Sequence, residues 1–170
     1  MAVPEKIKIR MVGVDDIPVI RQIAEIAFPY TYKDILPEGQ IPYMMEMMYS
    51  EQSLKIQIVD EKNVFFVAST LDGDIGYASV RPDGKDVFHL EKLYVLPDCW
   101  HSRIGTTLFK HVLDYVHQEN VSPCKVQLNV NRNNPAVGFY LKMGMRIAQC
   151  GDFDIGNGYF MNDFIMEIDA

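Results

Sequence analysis

A mixed α/β sheet with helices on both faces is predicted by three observations. Short apolar runs of strand length are punctuated by Gly, Pro, Asn and Asp. Between them lie longer segments whose apolar residues fall at helical spacing. Strand and helix then alternate through the second half, as in layered α/β folds. The composition agrees: of 170 residues, 48% are hydrophobic and 23% charged, which suits one domain with a sizeable core and excludes an intrinsically disordered chain. One domain over residues 1–170 is therefore expected.

Ile7, Ile9 and Met11 alternate with Lys8, Arg10 and Val12 as a first strand. Asp15 is placed to cap a helix carrying Ile17, Ile20, Ala24 and Ala27 on one face. The aromatic, turn-prone stretch from Phe28 to Leu36 has no evident assignment. A Met-rich helix, Tyr43 to Tyr49, and a short one from Ser50 to about Ile58 follow. Val64 to Thr70 and Ile75 to Val80 read as strands joined through Asp72-Gly73, and Pro82-Asp83-Gly84 turns into a third, Val87 to Leu96. A stripe of Gly105, Leu108, Phe109, Val112 and Val116 marks a helix from about Ile104 to Gln118. Lys125 to Val130 is a strand. Asn134-Pro135 reads as an N-cap with proline at the first helical position, and Ala136, Phe139, Tyr140 and Met143 share that helix's face. Gly144 sits where a left-handed terminator is expected. Met145 to Gly151 and Tyr159 to Ile168 close the chain around Gly156-Asn157-Gly158.

Several functions are disfavoured. The net charge of −7 opposes nucleic-acid or anionic-membrane binding, which needs a basic surface, and suits a cationic partner. No apolar run approaches the roughly 18 residues of a membrane span. Met1 to Lys6 lacks the layout of a secretory signal, so a cytoplasmic protein is expected. Three cysteines and four histidines form no zinc or metalloprotease spacing, so no metal is expected. A dinucleotide-binding oxidoreductase would need a G-x-G-x-x-G after the first strand, which is absent from the sequence.

The third strand carries a phase change. Leu90 and Leu93 are three apart while Leu93 and Val95 are two apart. All three share a face only if an extra residue, a β-bulge, lies near Glu91-Lys92; burial of both faces would explain the pattern equally well. After Pro97 the chain enters a helix through Asp98 to Gly105, the strand–loop–helix arrangement in which backbone N–H groups and the helix dipole favour a phosphate. Ser102, Arg103, Thr106 and Thr107 add donors there.

From Asn129 to Met145 the chain resembles the GNAT superfamily of acetyl-CoA-dependent N-acetyltransferases. Asn133, Ala136, Phe139, Tyr140 and Gly144 match the family's Asn-x-x-Ala-x-x-Phe-Tyr-x-x-x-Gly-Phe signature, with Met145 for the final Phe. Leu93-Tyr94-Val95-Leu96-Pro97 is similar to the strand leading to its pyrophosphate loop. Phe28-Pro29-Tyr30-Thr31-Tyr32 and Met44 to Ser50 resemble a bacterial branch containing polyamine acetyltransferases. The loop departs from the family's Gln/Arg-x-x-Gly-x-Gly/Ala: Trp100 stands at the Gln position and Arg103 at the first Gly, and only Gly105 matches.

The resemblance implies a mixed, mostly antiparallel twisted sheet of about seven strands with helices on both faces. It implies acetyl transfer from acetyl-CoA directly to a primary amine of a small molecule, a polyamine among the candidates. Pantetheine is expected on backbone groups of Leu93, Tyr94 and Val95, and pyrophosphate on amides of His101, Ser102, Arg103, Ile104, Gly105 and Thr106. Asn133 would touch the cofactor arm or cap the next helix. Tyr140 would protonate the departing thiolate, or else is a core aromatic beside Phe139. Glu91 is the candidate proton acceptor, or else a solvent-facing strand carboxylate. Tyr30 and Tyr32 are candidates for the acceptor groove, with Met44, Met48 and Tyr49 read as either core or ligand wall. Asp34, Glu38 and Glu46 are the nearest candidate carboxylates in sequence. A catalytically idle acyl-CoA-binding or interaction module and acetylation of a protein amine remain as alternatives, and a homodimer is left open.

Overall fold

The computed structural model describes residues 6–170. Met1 to Glu5, most of the segment read for a secretory signal, lies outside the described residues. The elements are β1 (Lys8–Val12), α1 (Ile17–Tyr32), α2 (Gln40–Tyr49), α3 (Glu51–Val59), β2 (Val64–Thr70), β3 (Gly73–Pro82), β4 (Val87–Val95), α4 (Ile104–Glu119), β5 (Lys125–Asn131), α5 (Ala136–Lys142), β6 (Arg146–Gly156) and β7 (Tyr159–Asp169). The seven strands form one sheet in the order β1-β2-β3-β4-β5-β7-β6. Every neighbouring pair is antiparallel except β4 and β5. The expected mixed, mostly antiparallel sheet is what forms. Among the described residues no helix is long and apolar enough to cross a membrane.

Strand alternation divides the core into two layers. Phe66 and Ala68 of β2, Ala78 and Val80 of β3, Leu90 of β4, and Val126, Leu128 and Val130 of β5 pack against α4 and against Tyr140 of α5. The opposite residues, Phe65, Val67 and Tyr77, pack against α1, α2 and α3. Met44 and Tyr49 belong to this second layer at 2% exposure each, so they are core rather than ligand wall.

Some boundaries differ from the sequence reading. A 3-10 turn, Val14–Asp16, precedes α1, and the N-cap position falls on Asp16, not Asp15. The unassigned aromatic stretch begins as helix: α1 continues through Pro29 to Tyr32, because Ala27, Phe28 and Tyr32 extend its buried stripe. Packing there outweighs the missing proline N–H. Met11 is 59% exposed, on a strand at the edge of the sheet. The Met-rich helix begins at Gln40, whose Nε2 donates to the Phe160 carbonyl at 2.9 Å, a partner far away in sequence.

The bulge forms. Ala78 faces Leu93 and Ser79 faces Lys92, but Val80 faces Leu90, so Glu91 is the extra residue. Leu90, Leu93 and Val95 therefore share the α4 layer. Beside the bulge, β4 pairs with β5 only over Val87–His89 against Lys125–Gln127. Beyond that point β4 stays on β3 up to Val95 and β5 stays on β7 up to Asn131. Their facing edges part.

Lys92 enters the helical layer at 6% exposure, where its Nζ donates to Gln57 Oε1 at 2.5 Å. Tyr49 and Phe65 present their rings at 5.5 and 5.7 Å. Burial lowers its pKa from 10.5 to about 8. Below that value the ammonium is charged in both folded and unfolded chains, and the full burial cost is present. Between about 8 and 10.5 the unfolded chain holds the proton and the folded one does not, so stability rises with pH. Wild type should thus gain on Lys92→Met by up to about 3 kcal/mol between neutral pH and about pH 10. Urea denaturation of both proteins across that range checks this; a constant difference would show that Lys92 keeps its proton in the fold.

Candidate active site

The free edge of β4 leads directly into the loop before α4. Pro97–Cys99 form a single 3-10 turn, and the chain then passes through Trp100 to Arg103. Trp100 Nε1 donates to the Val95 carbonyl at 2.8 Å, and its ring meets Tyr30 edge-on at 5.3 Å. The residue that departs from the family's Gln thus ties the loop to both the strand end and α1. His101 and Arg103 have φ of 69° and 68°, in the left-handed region. Arg103 therefore adopts the backbone that a glycine in its place would take freely. Gly105 has no such constraint: a Cβ there would make ordinary contact with the Phe139 ring at 3.5 Å.

The first helical bond of α4 runs from Thr107 N to the Arg103 carbonyl at 2.9 Å. The amides of Ile104, Gly105 and Thr106 precede it and face out of the helix end, where the dipole is positive. A cleft of about 270 Å³ opens beside them. Leu93, Tyr94, Val95, His101, Arg103, Gly105 and Thr106 line it, together with Thr31, Cys99, Trp100, Asn134, Pro135, Ala136 and Phe139. An unpaired strand edge can pair with a chain of amides, and a helix N-terminus attracts phosphate. The cleft combines both.

The remaining candidates, Glu91 and Tyr140 among them, do not line it. The Ile104 side chain is buried under α4, and the Ser102 hydroxyl turns back to the Cys99 carbonyl. Asn133 is exposed, whereas Asn134 lines the cleft. Asn134 Oδ1 accepts from Ala136 N at 2.9 Å, and its Nδ2 donates to the Tyr32 hydroxyl at 3.4 Å. Glu91 sits half-buried in the bulge with its carboxylate held by Arg81, which also donates to Asp83 at 3.0 Å. Tyr140 is buried at 6% exposure against Phe109 and Phe139. Tyr30 stands on the rim, while Tyr32 is buried with its hydroxyl 3.2 Å from that of Tyr94. Burial pushes the phenols of Tyr32, Tyr94 and Tyr140 above their ordinary value, so all three keep their protons at neutral pH. Asp34, Glu38 and Glu46 are exposed and do not line the cleft.

Residues 21–145 match the acetyltransferase (GNAT) family, well over half of the chain. The chain belongs to that family. It is an acetyl-CoA-dependent N-acetyltransferase. Among its relatives, the spermidine N(1)-acetyltransferase of Thermoplasma acidophilum is 24% identical over 165 residues, spanning 95% of this chain and 96% of that one. The crystal structure of the PaiA N-acetyltransferase from T. acidophilum in complex with coenzyme A is similar with a TM-score of 0.80 at 25% identity, covering 97% of this chain and 99% of that chain. A GCN5-related N-acetyltransferase from Rhodopseudomonas palustris shares the fold with a TM-score of 0.81 at 20% identity, covering 100% and 99% of the two chains. For a GNAT enzyme the notable local features are Trp100 as the loop's anchor and an arginine in a left-handed backbone.

The signal for Asn134 was present in the Asn-Pro pair. Trp100 had no such signal, because its anchoring role depends on Val95 and Tyr30 converging. Arg103→Gly is expected to stabilise the protein by about 1 kcal/mol by removing the left-handed penalty. Gly105→Ala should leave the core undisturbed. Thermal unfolding of both variants checks this; an Arg103→Gly variant less stable than wild type would mean that the arginine side chain supports the loop.

Proposed function

We propose that this acetyltransferase acetylates a primary amine of a small cationic molecule, with a polyamine the favoured class, and that residues 1–170 act as one domain for this purpose. The observation that carries the reading is the edge of β4, unpaired by any strand beyond the Glu91 bulge, its Val95 carbonyl taken by Trp100, and continuous with the outward amides of α4. Leu93, Tyr94 and Val95 would pair with the amides of pantetheine as an added strand does. The amides from His101 to Thr106, with the Arg103 guanidinium, would take the pyrophosphate. Asn134 rather than Asn133 is the better placed to bound the arm, since it lines the cleft. The polyamine choice is supported by the net charge of −7 and by the relative named a spermidine N(1)-acetyltransferase.

Acetyl-CoA supplies the acetyl group as an activated thioester. The attacking amine must first lose a proton, because an ammonium has no lone pair, and a free alkylamine has a pKa of about 10.4. Glu91 would accept that proton through water, with Arg81 fixing the direction of its carboxylate. Tyr140 would return a proton to the leaving thiolate, and burial keeps its phenol protonated until then.

Release of free thiol from acetyl-CoA with a panel of amines tests the reading. Spermidine should be acetylated more efficiently than neutral-headed amines. Binding of CoA without turnover on any amine would favour an idle CoA-binding module. Tyr140→Phe keeps the ring against Phe109 and removes the hydroxyl. Its turnover should fall by roughly 10²-fold while acetyl-CoA affinity, read by calorimetry, stays unchanged. Unaltered turnover would leave Tyr140 a packing residue and make solvent the proton source.

A further inference from the structure

The face of the sheet that carries Tyr77 and Lys92 continues past the opening onto β5 and β7, where Asn131 lies in register with Asp163. Asp163 is 4% exposed, yet its Oδ1 is enclosed with no hydrogen-bond partner. Its Oδ2 accepts a long bond, 3.4 Å, from the exposed Asn129. Carboxylates on β4, β7 and β6 are by contrast paired: Glu91 by Arg81, Glu167 by Lys125 at 3.3 Å, Asp152 by Arg132 at 2.7 Å. Arg132 reaches the backbone carbonyl of Asp163 at 3.5 Å, and among the described residues no ion pair reaches the carboxylate itself. Burial pushes the Asp163 carboxyl above its ordinary value, and its charged form is uncompensated unless a cation or a strong donor completes it.

Its position says which cation. Asp163 lies in register with Asn131, which leads through a short turn to Asn134, whose Nδ2 donates to the Tyr32 hydroxyl. That hydroxyl lies 3.2 Å from Tyr94 and 3.4 Å from Asn134, both of which line the cleft. Asp163 therefore stands behind the inner wall of the cleft, on the β5 side of the opening. The amine that attacks the thioester must be neutral, so it cannot satisfy a carboxylate as a cation does. A second amine on the same molecule stays protonated and can. We infer that Asp163 is a specificity-determining residue of the acceptor site, its carboxylate receiving the ammonium that is not acetylated and so selecting a diamine or polyamine over a monoamine. Asn129, weakly bonded and exposed, marks the side from which that ammonium enters. The inference rests on the polyamine reading above and adds to it the residue that makes the choice.

Spermidine and n-butylamine separate the effect, since only the first keeps a charge after one amine is neutralised. Asp163→Asn preserves shape and removes the charge. KM for spermidine should rise at least about tenfold, with kcat and the efficiency on n-butylamine unchanged. Equal losses on both amines, or an unchanged preference, would overturn the inference. Calorimetry of spermidine with the full chain gives a second readout that needs no turnover: binding by wild type and its loss in Asp163→Asn supports the inference even if no amine is acetylated, in which case only the reading of the reaction fails. Wild type that binds no spermidine overturns it. Should Asp163→Asn fail to fold, Asn129→Lys places a tethered ammonium against the same carboxylate. It should raise thermal stability while weakening spermidine at least about tenfold, and unchanged spermidine binding would count against the inference.

Discussion

The parting of β4 and β5 is the feature on which the cleft depends. Two parallel strands in the middle of a sheet would ordinarily pair along their length and leave no backbone group for a ligand. Here the extra residue at Glu91 bends β4 just after Val87–His89 has paired with Lys125–Gln127. Neither strand is left unsupported, because β3 holds β4 and β7 holds β5 on their outer sides. The opening is thus built from two well-anchored walls rather than from mobile loops.

The same bulge also distributes the side chains. It keeps Leu93 and Val95 with Leu90 in the α4 layer and sends Lys92 into the other layer. It leaves Glu91 where Arg81 can hold it. Trp100 then closes the top of the strand by taking the Val95 carbonyl, and Tyr30 supports its ring from α1. A loop that lacks the usual glycines is in this way held in the left-handed conformations glycines would have allowed, at His101 and Arg103. The backbone geometry that exposes the α4 amides survives the change of side chains.

Polar groups on the α1 side of the sheet follow a different logic from the apolar α4 side. Lys92 with Gln57, Tyr49 with Tyr77 at 2.6 Å, and Tyr32 with Tyr94 and Asn134 are partnered inside the protein. Among the described residues Asp163 and Ser79 are exceptions there, each with one oxygen enclosed and unpartnered. An apolar layer can stabilise by area alone, whereas a polar one must match each donor with an acceptor.

Local pattern was enough for much of this. Apolar period and strand-length apolar runs located the strands and helices, except the end of α1 at Tyr32 and that of β6 at Gly156, because the helices bury one face while the central strands β2 and β3 bury both. The bulge was legible as a phase change between Leu90 and Leu93, and Gly144 as a left-handed terminator, which its φ of 100° confirms. The signature from Asn133 to Gly144 pointed to the family, since a strand end, a helix start and a cofactor constrain those residues together. Other features had no local trace. The helix through Pro29 depends on what Phe28 and Tyr32 pack against, the start of α2 on a carbonyl at Phe160, and the choice of Asn134 over Asn133 on which of the two turns inward. Trp100 and Asp163 gain their roles only from residues distant in sequence. Periodicity reports which face of an element is buried, but only the assembled sheet decides which buried polar group finds a partner.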